Sequence, residues 1–158
     1  MANELSTAGI HVKYAVEATA GTRPTTNYTD IPGVKSIPEF GGEPNTLDTT
    51  PLAATVSHTY IPGLADPGGA IGLTVNDYTA FRDAWEDLMD AYDGLTGGKQ
   101  LWVEFAYPAA SGMQSFYFTA QPTELSFGGA DVDEVLENTA YLIPTGQPLW
   151  AAASTTSP

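Results

Sequence analysis

Apolar residues in this chain return at every second position, in short runs cut off by glycine and proline. Ile10, Val12, Tyr14 and Val16 share one parity, and His11, Lys13, Ala15 and Glu17 the other. Val56, His58 and Tyr60 alternate in the same way, as do Ile71, Leu73 and Val75, and then Leu101, Val103, Phe105 and Tyr107. A strand turns successive side chains to opposite faces, so each run predicts a half-buried β-strand. Ser115 to Ala120 is aromatic on both parities, through Phe116 and Phe118 on one and Tyr117 on the other, and Val135 to Ile143 predicts a last long strand. Tyr28 to Ile37 is broken by Pro32-Gly33 and reads as one bent strand. The total is seven or eight short strands.

Only one segment changes period. Tyr78, Phe81, Trp85, Leu88, Met89 and Tyr92 recur at helical spacing and form one apolar stripe. Asp83, Glu86, Asp87, Asp90 and Asp93 form the opposite stripe. This predicts a helix over about 77–93, with Asn76 or Asp77 as its N-cap and Gly94 ending it. The fold class is therefore mainly β, a sandwich or barrel with one flanking helix.

The 158 residues suffice for a single domain that needs no metal or disulfide to hold its core. Residues 1–9 are expected to be an N-terminal arm, 10–150 the β domain and 151–158 a flexible C-terminal tail. Pro38 to Pro51 contains three prolines and Gly41-Gly42, and predicts a long excursion over about 38–55.

Nineteen Asp and Glu stand against five Lys and Arg, a formal net charge of −14. Gripping DNA or an anionic membrane through phosphates needs the opposite sign, so the charge argues against ordinary nucleic-acid binding. The absence of cysteine rules out a disulfide framework, a thiolate metal site and a cysteine nucleophile, and suits a reducing cytoplasm. No stretch is long and apolar enough to span a membrane as a helix, and the first residues carry no basic cluster with an apolar run behind it. Asn27-Tyr28-Thr29 has the form of a glycosylation acceptor, which matters only in a secreted eukaryotic protein.

The chain offers no catalytic constellation. His11 and His58 each lie in a strand pattern, without a second nitrogen ligand at short spacing. Gly94 to Lys99 looks like a phosphate loop, but it is one residue short, ends in Gln100 instead of Ser or Thr, and follows a helix instead of opening one. Asp131, Asp133, Glu134 and Glu137 cluster, but fail the calcium-loop pattern. Carboxylate pairs could run glycoside hydrolysis, yet in so acidic a chain pairs arise by chance. The chain is expected to be neither an enzyme nor a holder of a metal or cofactor.

Three blocks together resemble the major tail tube proteins of long-tailed bacteriophages. The first runs from Ile31-Pro32-Gly33-Val34 to Glu43-Pro44-Asn45-Thr46-Leu47-Asp48-Thr49-Thr50-Pro51-Leu52. The second is Tyr60 and Gly63-Leu64-Ala65-Asp66-Pro67-Gly68, with the helix after Asn76-Asp77. The third is Phe116 to Gly129, then Val135 to Ile143, closing on Thr145-Gly146-Gln147-Pro148-Leu149-Trp150. The likeness covers roughly 28–150; Pro108 to Gly112 departs from it, where a more acidic turn is expected.

The resemblance implies a subunit that closes into stacked hexameric rings, related to the tube proteins of type VI secretion. It implies a virion tail location, assembly in the host cytoplasm, and partners in a tape measure protein and tail-end proteins, with DNA passing through unbound. Leu47, Asp48, Thr49, Thr50, Pro51 and Leu52 would then form the inter-ring loop. Glu104, Glu124 and Glu137, on the outward parity of the strands, would be lumen-facing acids that repel a sliding polyanion. The rivals are another virion or secretion-tube structural protein, and a carbohydrate-binding β-sandwich using Trp102, Trp150 and Tyr117 as stacking platforms.

Overall fold

The computed structural model describes residues 8–41, 44–64 and 68–155. The expected arm over 1–9, apart from Ala8 and Gly9, and the last three residues of the expected tail lie outside them. Ten strands and one long helix follow in chain order: β1 (His11–Val16), β2 (Thr29–Ile31), β3 (Val34–Ser36), β4 (Thr46–Asp48), β5 (Tyr60–Pro62), β6 (Ile71–Asn76), α1 (Thr79–Asp93), β7 (Leu101–Ala106), β8 (Ser115–Pro122), β9 (Glu137–Pro144) and β10 (Leu149–Ala151).

Eight strands form one antiparallel sheet in the order β2-β1-β7-β8-β9-β6-β3, with β10 beside β8. β8 is paired along its second edge twice over, by β10 opposite Ser115–Tyr117 and by β9 opposite Ala120–Pro122. The first and last strands of that path, β2 and β3, are consecutive in the chain and separated only by Pro32-Gly33. Laid flat, seven strands would place them about 29 Å apart at about 4.8 Å per strand. Three residues of extended chain span only about 10 Å. The sheet must curl until its two borders meet at that corner. What the alternation suggested as one bent strand is two strands serving opposite borders.

The inside of the curl is the core. Val12 and Tyr14 of β1, Leu73 and Val75 of β6, Leu101 and Val103 of β7, Phe118 of β8 and Leu142 of β9 are buried there. The helix closes the open side, packing against β1, β2 and β8 and inserting Phe81, Trp85 and Leu88. The Trp85 indole N–H donates to the Thr123 carbonyl at 2.9 Å, so the ring is buried without an orphaned donor.

The helix starts later than its pattern predicts, and neither expected cap serves. Asn76 is the last residue of β6, paired with Glu137. The Asp77 carboxylate accepts from both Nε and Nη2 of Arg82 at 2.6 Å, so it is engaged elsewhere. Tyr78 holds the N-cap position with no side-chain hydrogen bond and leaves the stripe, half exposed. Gly94 ends the helix as expected, its N–H donating to the Asp90 carbonyl.

Alternation in β1 also ends early. Val16 is exposed, whereas Glu17 is buried and accepts from the backbone N–H groups of Gly21 and Gln100 and the indole N–H of Trp102. Three donors converging on one carboxylate hold the end of β1 to the start of β7. Burial raises the Glu17 carboxyl, but the bonds from Trp102, Gly21 and Gln100 outweigh it and leave it below the usual carboxylate range.

Candidate functional site

The part of the chain most visibly lacking a partner is the long excursion. Its sequence gives it two short strands, β4 and β5, paired Thr46↔Pro62, Leu47↔Ile61 and Asp48↔Tyr60, and separate from the main sheet. Polar side chains stitch the hairpin together above those strands. The Thr49 N–H donates to the Thr59 carbonyl at 2.8 Å, and the Thr59 N–H to the Thr50 hydroxyl at 2.9 Å. Asp48 Oδ1 accepts from both the N–H and the hydroxyl of Thr50, which holds its carboxyl below the usual range. His58 Nδ1 lies 3.2 Å from the same hydroxyl. Below the strands the Gly63 N–H donates to the Asn45 carbonyl at 2.7 Å.

No described residue of the arm is buried. Leu47, Tyr60 and Ile61 are about half exposed, while Leu52 at 108% and Val56 at 94% are fully in water. An isolated two-stranded hairpin is marginal in water at best. This one carries its apolar side chains outward and gains nothing from burying them. The expected inter-ring residues Leu47 to Leu52 all belong to this arm. The alternation at Val56, His58 and Tyr60 does not make a strand before Tyr60, because Thr59 and Thr50 spend their backbone and hydroxyl groups on the turn instead.

The three candidate lumen acids have three different fates. Glu104 is not on an exposed face: it is fully buried, which overturns its reading as an outward carboxylate. The β7–β8 outer face is covered by a second layer made of residues 22–28 and 152–155. Glu104 accepts from the Tyr117 hydroxyl at 2.7 Å, the Ser154 hydroxyl at 2.6 Å and the Ser154 N–H at 3.0 Å. Desolvation raises its carboxyl, but Ser154 and Tyr117 together bring it below the usual range. Glu124 is exposed, just past β8. Glu137 opens β9, half exposed and ion-paired with Lys35 of β3.

The same second layer moves the expected domain boundary. Ala151 ends β10, the Ala152 carbonyl lies 2.7 Å from the Tyr117 hydroxyl, and Thr155 bridges to the strand of chain at Thr26. Arg23 lies over the Tyr117 ring at 4.2 Å, and Tyr28 packs against it. The fold therefore runs on to Thr155. The signal for this was thin: a serine in a Thr/Ser/Ala tail gives no pattern that pairs it with a glutamate fifty residues earlier.

The other charged candidates stay apart. Asp83, Glu86, Asp87, Asp90 and Asp93 line the exposed face of α1. His11 pairs with Asp30 at 3.1 Å on the surface. Among the described residues, no three His, Asp or Glu side chains come together as a metal ligand set. Gly94 to Lys99 is the turn from α1 into β7. The three proposed sugar platforms do not share a face. Tyr117 is wholly buried, Trp102 donates to Glu17, and Trp150 stacks on Tyr107 at 6.1 Å between ring centroids.

A groove that the periodicity did not reveal lies where the excursion leaves the body. Ile10, Ile37, Phe40, Tyr107, Phe116 and Trp150 line a cavity of about 250 Å³. Its walls are an aromatic ladder, with Phe40 edge-on to Phe116 at 5.6 Å and Trp150 edge-on to Phe116 at 5.0 Å. Phe40 falls in the excursion, whose prolines and glycines hide any period, and Ile37 ends the run that reads as a bent strand.

Together these features define a curled antiparallel β body, plugged by one helix, that carries an arm with exposed apolar side chains and an acidic exterior. No family model matches the chain, and no curated protein matches its sequence. The fold does have a solved counterpart. A chain in the cryo-EM structure of the anti-feeding prophage (AFP) baseplate, 6-fold symmetrised, superposes with a TM-score of 0.64 at 12% identity, covering 98% of this chain and 100% of that one. At that identity the likeness is one of fold, and it extends from end to end.

Proposed function

We propose that this chain is a structural subunit of a phage tail or a related injection machine. Copies close into hexameric rings around a channel, and rings stack into a tube through the arm over residues 44–64. The observation that carries this reading is the arm: a hairpin whose apolar side chains stand in water, on a body that shares its fold with a chain of a 6-fold baseplate. Closing a ring also covers the free borders of small sheets, which otherwise invite uncontrolled pairing.

The charge suits a conduit. A basic wall would hold DNA by counterion release, whereas an acidic wall lets it slide. At physiological salt the repulsion fades over about 8 Å, so it centres the duplex without blocking it. Glu124 and Glu137 remain the wall candidates; tape measure and tail-end proteins would be the other partners in the virion.

Electron microscopy of the purified full chain tests the reading. Hexameric rings or tubes are expected, and deleting Leu47 to Leu52 is expected to leave a folded subunit, by circular dichroism, that no longer polymerises. A strict monomer at high concentration would sink the proposal. The fold counterpart sits in a baseplate, which favours a second reading in which the chain forms a single terminal ring; rings that never elongate into tubes would select it.

A further inference from the structure

We propose that the aromatic groove at the foot of the arm receives the Pro51–Val56 tip of the arm from a second copy of this chain. The inference rests on the assembly reading above and names the surface that the arm engages. Two observations meet in it. Leu52 and Val56 stand fully exposed at the tip, and the groove between Phe40, Phe116 and Trp150 is apolar and holds no side chain of the described fold. At about 250 Å³ the groove is smaller than the roughly 300 Å³ at which ordinary small-molecule sites begin, and fits one or two aliphatic side chains.

Charge selects the occupant. Each copy carries a formal −14, so two copies repel over most of their surfaces. None of the residues lining the groove is charged, and the tip sequence Pro51-Leu52-Ala53-Ala54-Thr55-Val56 has no charge either. These are two neutral apolar patches on a strongly acidic molecule, and they meet without placing carboxylates face to face.

Geometry makes the contact intermolecular. Ile37 and Phe40 precede the arm directly, so the groove lies at its root. The tip lies roughly eight residues beyond the start of β4, about 26 Å of extended chain at about 3.3 Å per residue. No residue of the arm lines the groove of its own chain, which leaves the arm free to enter that of a neighbour. Knob and hole lie at different places on one chain, so each copy gives one arm and receives another. Within the stacked rings proposed above this is a heterologous, head-to-tail contact, which propagates through the assembly.

The chain has no cysteine, which gives a clean cross-linking test. A full-length Leu52→Cys chain is mixed with a full-length Ile37→Cys chain under mild oxidation, with Asp87→Cys on the exposed helix face as the off-target control. A disulfide needs Cα atoms within about 7 Å. Cross-linked dimers from the 52 and 37 pair, at least tenfold above the 52 and 87 pair, are expected. Rings or tubes in the microscope without that cross-link would overturn the groove assignment and leave the assembly reading intact. A monomer with no cross-link would overturn both. An Ala2→Cys, Ile37→Cys chain that instead closes on itself would assign the groove to the chain's own first residues and also overturn the inference.

Discussion

The Tyr117 hydroxyl donates to Glu104 at 2.7 Å inside the protein, and the same oxygen lies 2.7 Å from the carbonyl of Ala152. A carboxylate, a phenol and the end of the chain thus form one buried polar network, sealed by Arg23 on the outer side of the ring. Removing one member leaves the others short of partners, and an unsatisfied buried polar group costs about 1–3 kcal/mol. Glu104→Gln and Tyr117→Phe are each expected to lower unfolding free energy by about that amount, read by denaturant titration. The double variant should cost clearly less than the sum of the two. Additive losses would mean that the two groups do not act as a unit.

The same network sets a pH dependence. Glu104 and Glu17 both have carboxyls below the usual range when folded. An unfolded glutamate titrates near about 4.3, so the stability they contribute is fully present above that pH and is lost as pH falls through the lower folded values. At the alkaline end, desolvation raises Tyr28 to about 12, and desolvation with Glu104 raises Tyr117 further. Stability is therefore expected to fall as pH climbs above about 10, where the unfolded phenols ionise first. Thermal melts from pH 2.5 to 12 check both limbs, and Glu104→Gln should flatten the acid limb. An unchanged acid limb in that variant would remove Glu104 from the account.

Gly33 holds the corner between the two borders of the sheet, at φ +83°. A Cβ there would lie 2.7 Å from the Tyr78 ring, and the Gly33 carbonyl accepts from the Asn76 N–H at 2.8 Å. Gly33→Ala adds a left-handed backbone penalty of about 1–2 kcal/mol to that collision. A melting temperature lowered by several degrees is expected, with the far-ultraviolet spectrum unchanged. Gly41→Ala, also at positive φ but with open space around it, should cost less; equal losses would show that the Tyr78 contact is unimportant.

Glu124 and Glu137 lie at the ends of β8 and β9, accessible to solvent. Changing both to Lys adds four units of positive charge per subunit, two from each exchange. On the conduit reading proposed above, DNA release from assembled particles is expected to slow severalfold while assembly proceeds, and raising the salt should restore the rate. Release at the wild-type rate in low salt would place these side chains away from the path of the DNA.

What could be read from the residues followed from periodicity. Leu101, Val103 and Phe105 declared β7, and Phe81, Trp85 and Leu88 declared α1, because burial of one face or one stripe leaves a repeating mark. The burial of Glu104 escapes alternation for the same reason: the pattern says that it faces away from the core, not that a second layer of chain covers it. That layer is built from residues 22–28 and 152–155, which have no period because single side chains, not a repeating face, hold them. The arm was legible as an excursion from its prolines, but the groove at its foot joins Ile37, Tyr107 and Trp150 from three distant stretches, a conjunction that only the fold creates.

The Pro32-Gly33 corner has a mechanical consequence. A curled sheet held only by hydrogen bonds would unzip from its seam when pulled, one weak link at a time. Here the seam is crossed by the backbone itself, so a tug between the two rims loads covalent bonds and passes the strain into β1 and β6 together. A load applied at the corner is therefore shared by both borders of the sheet at once.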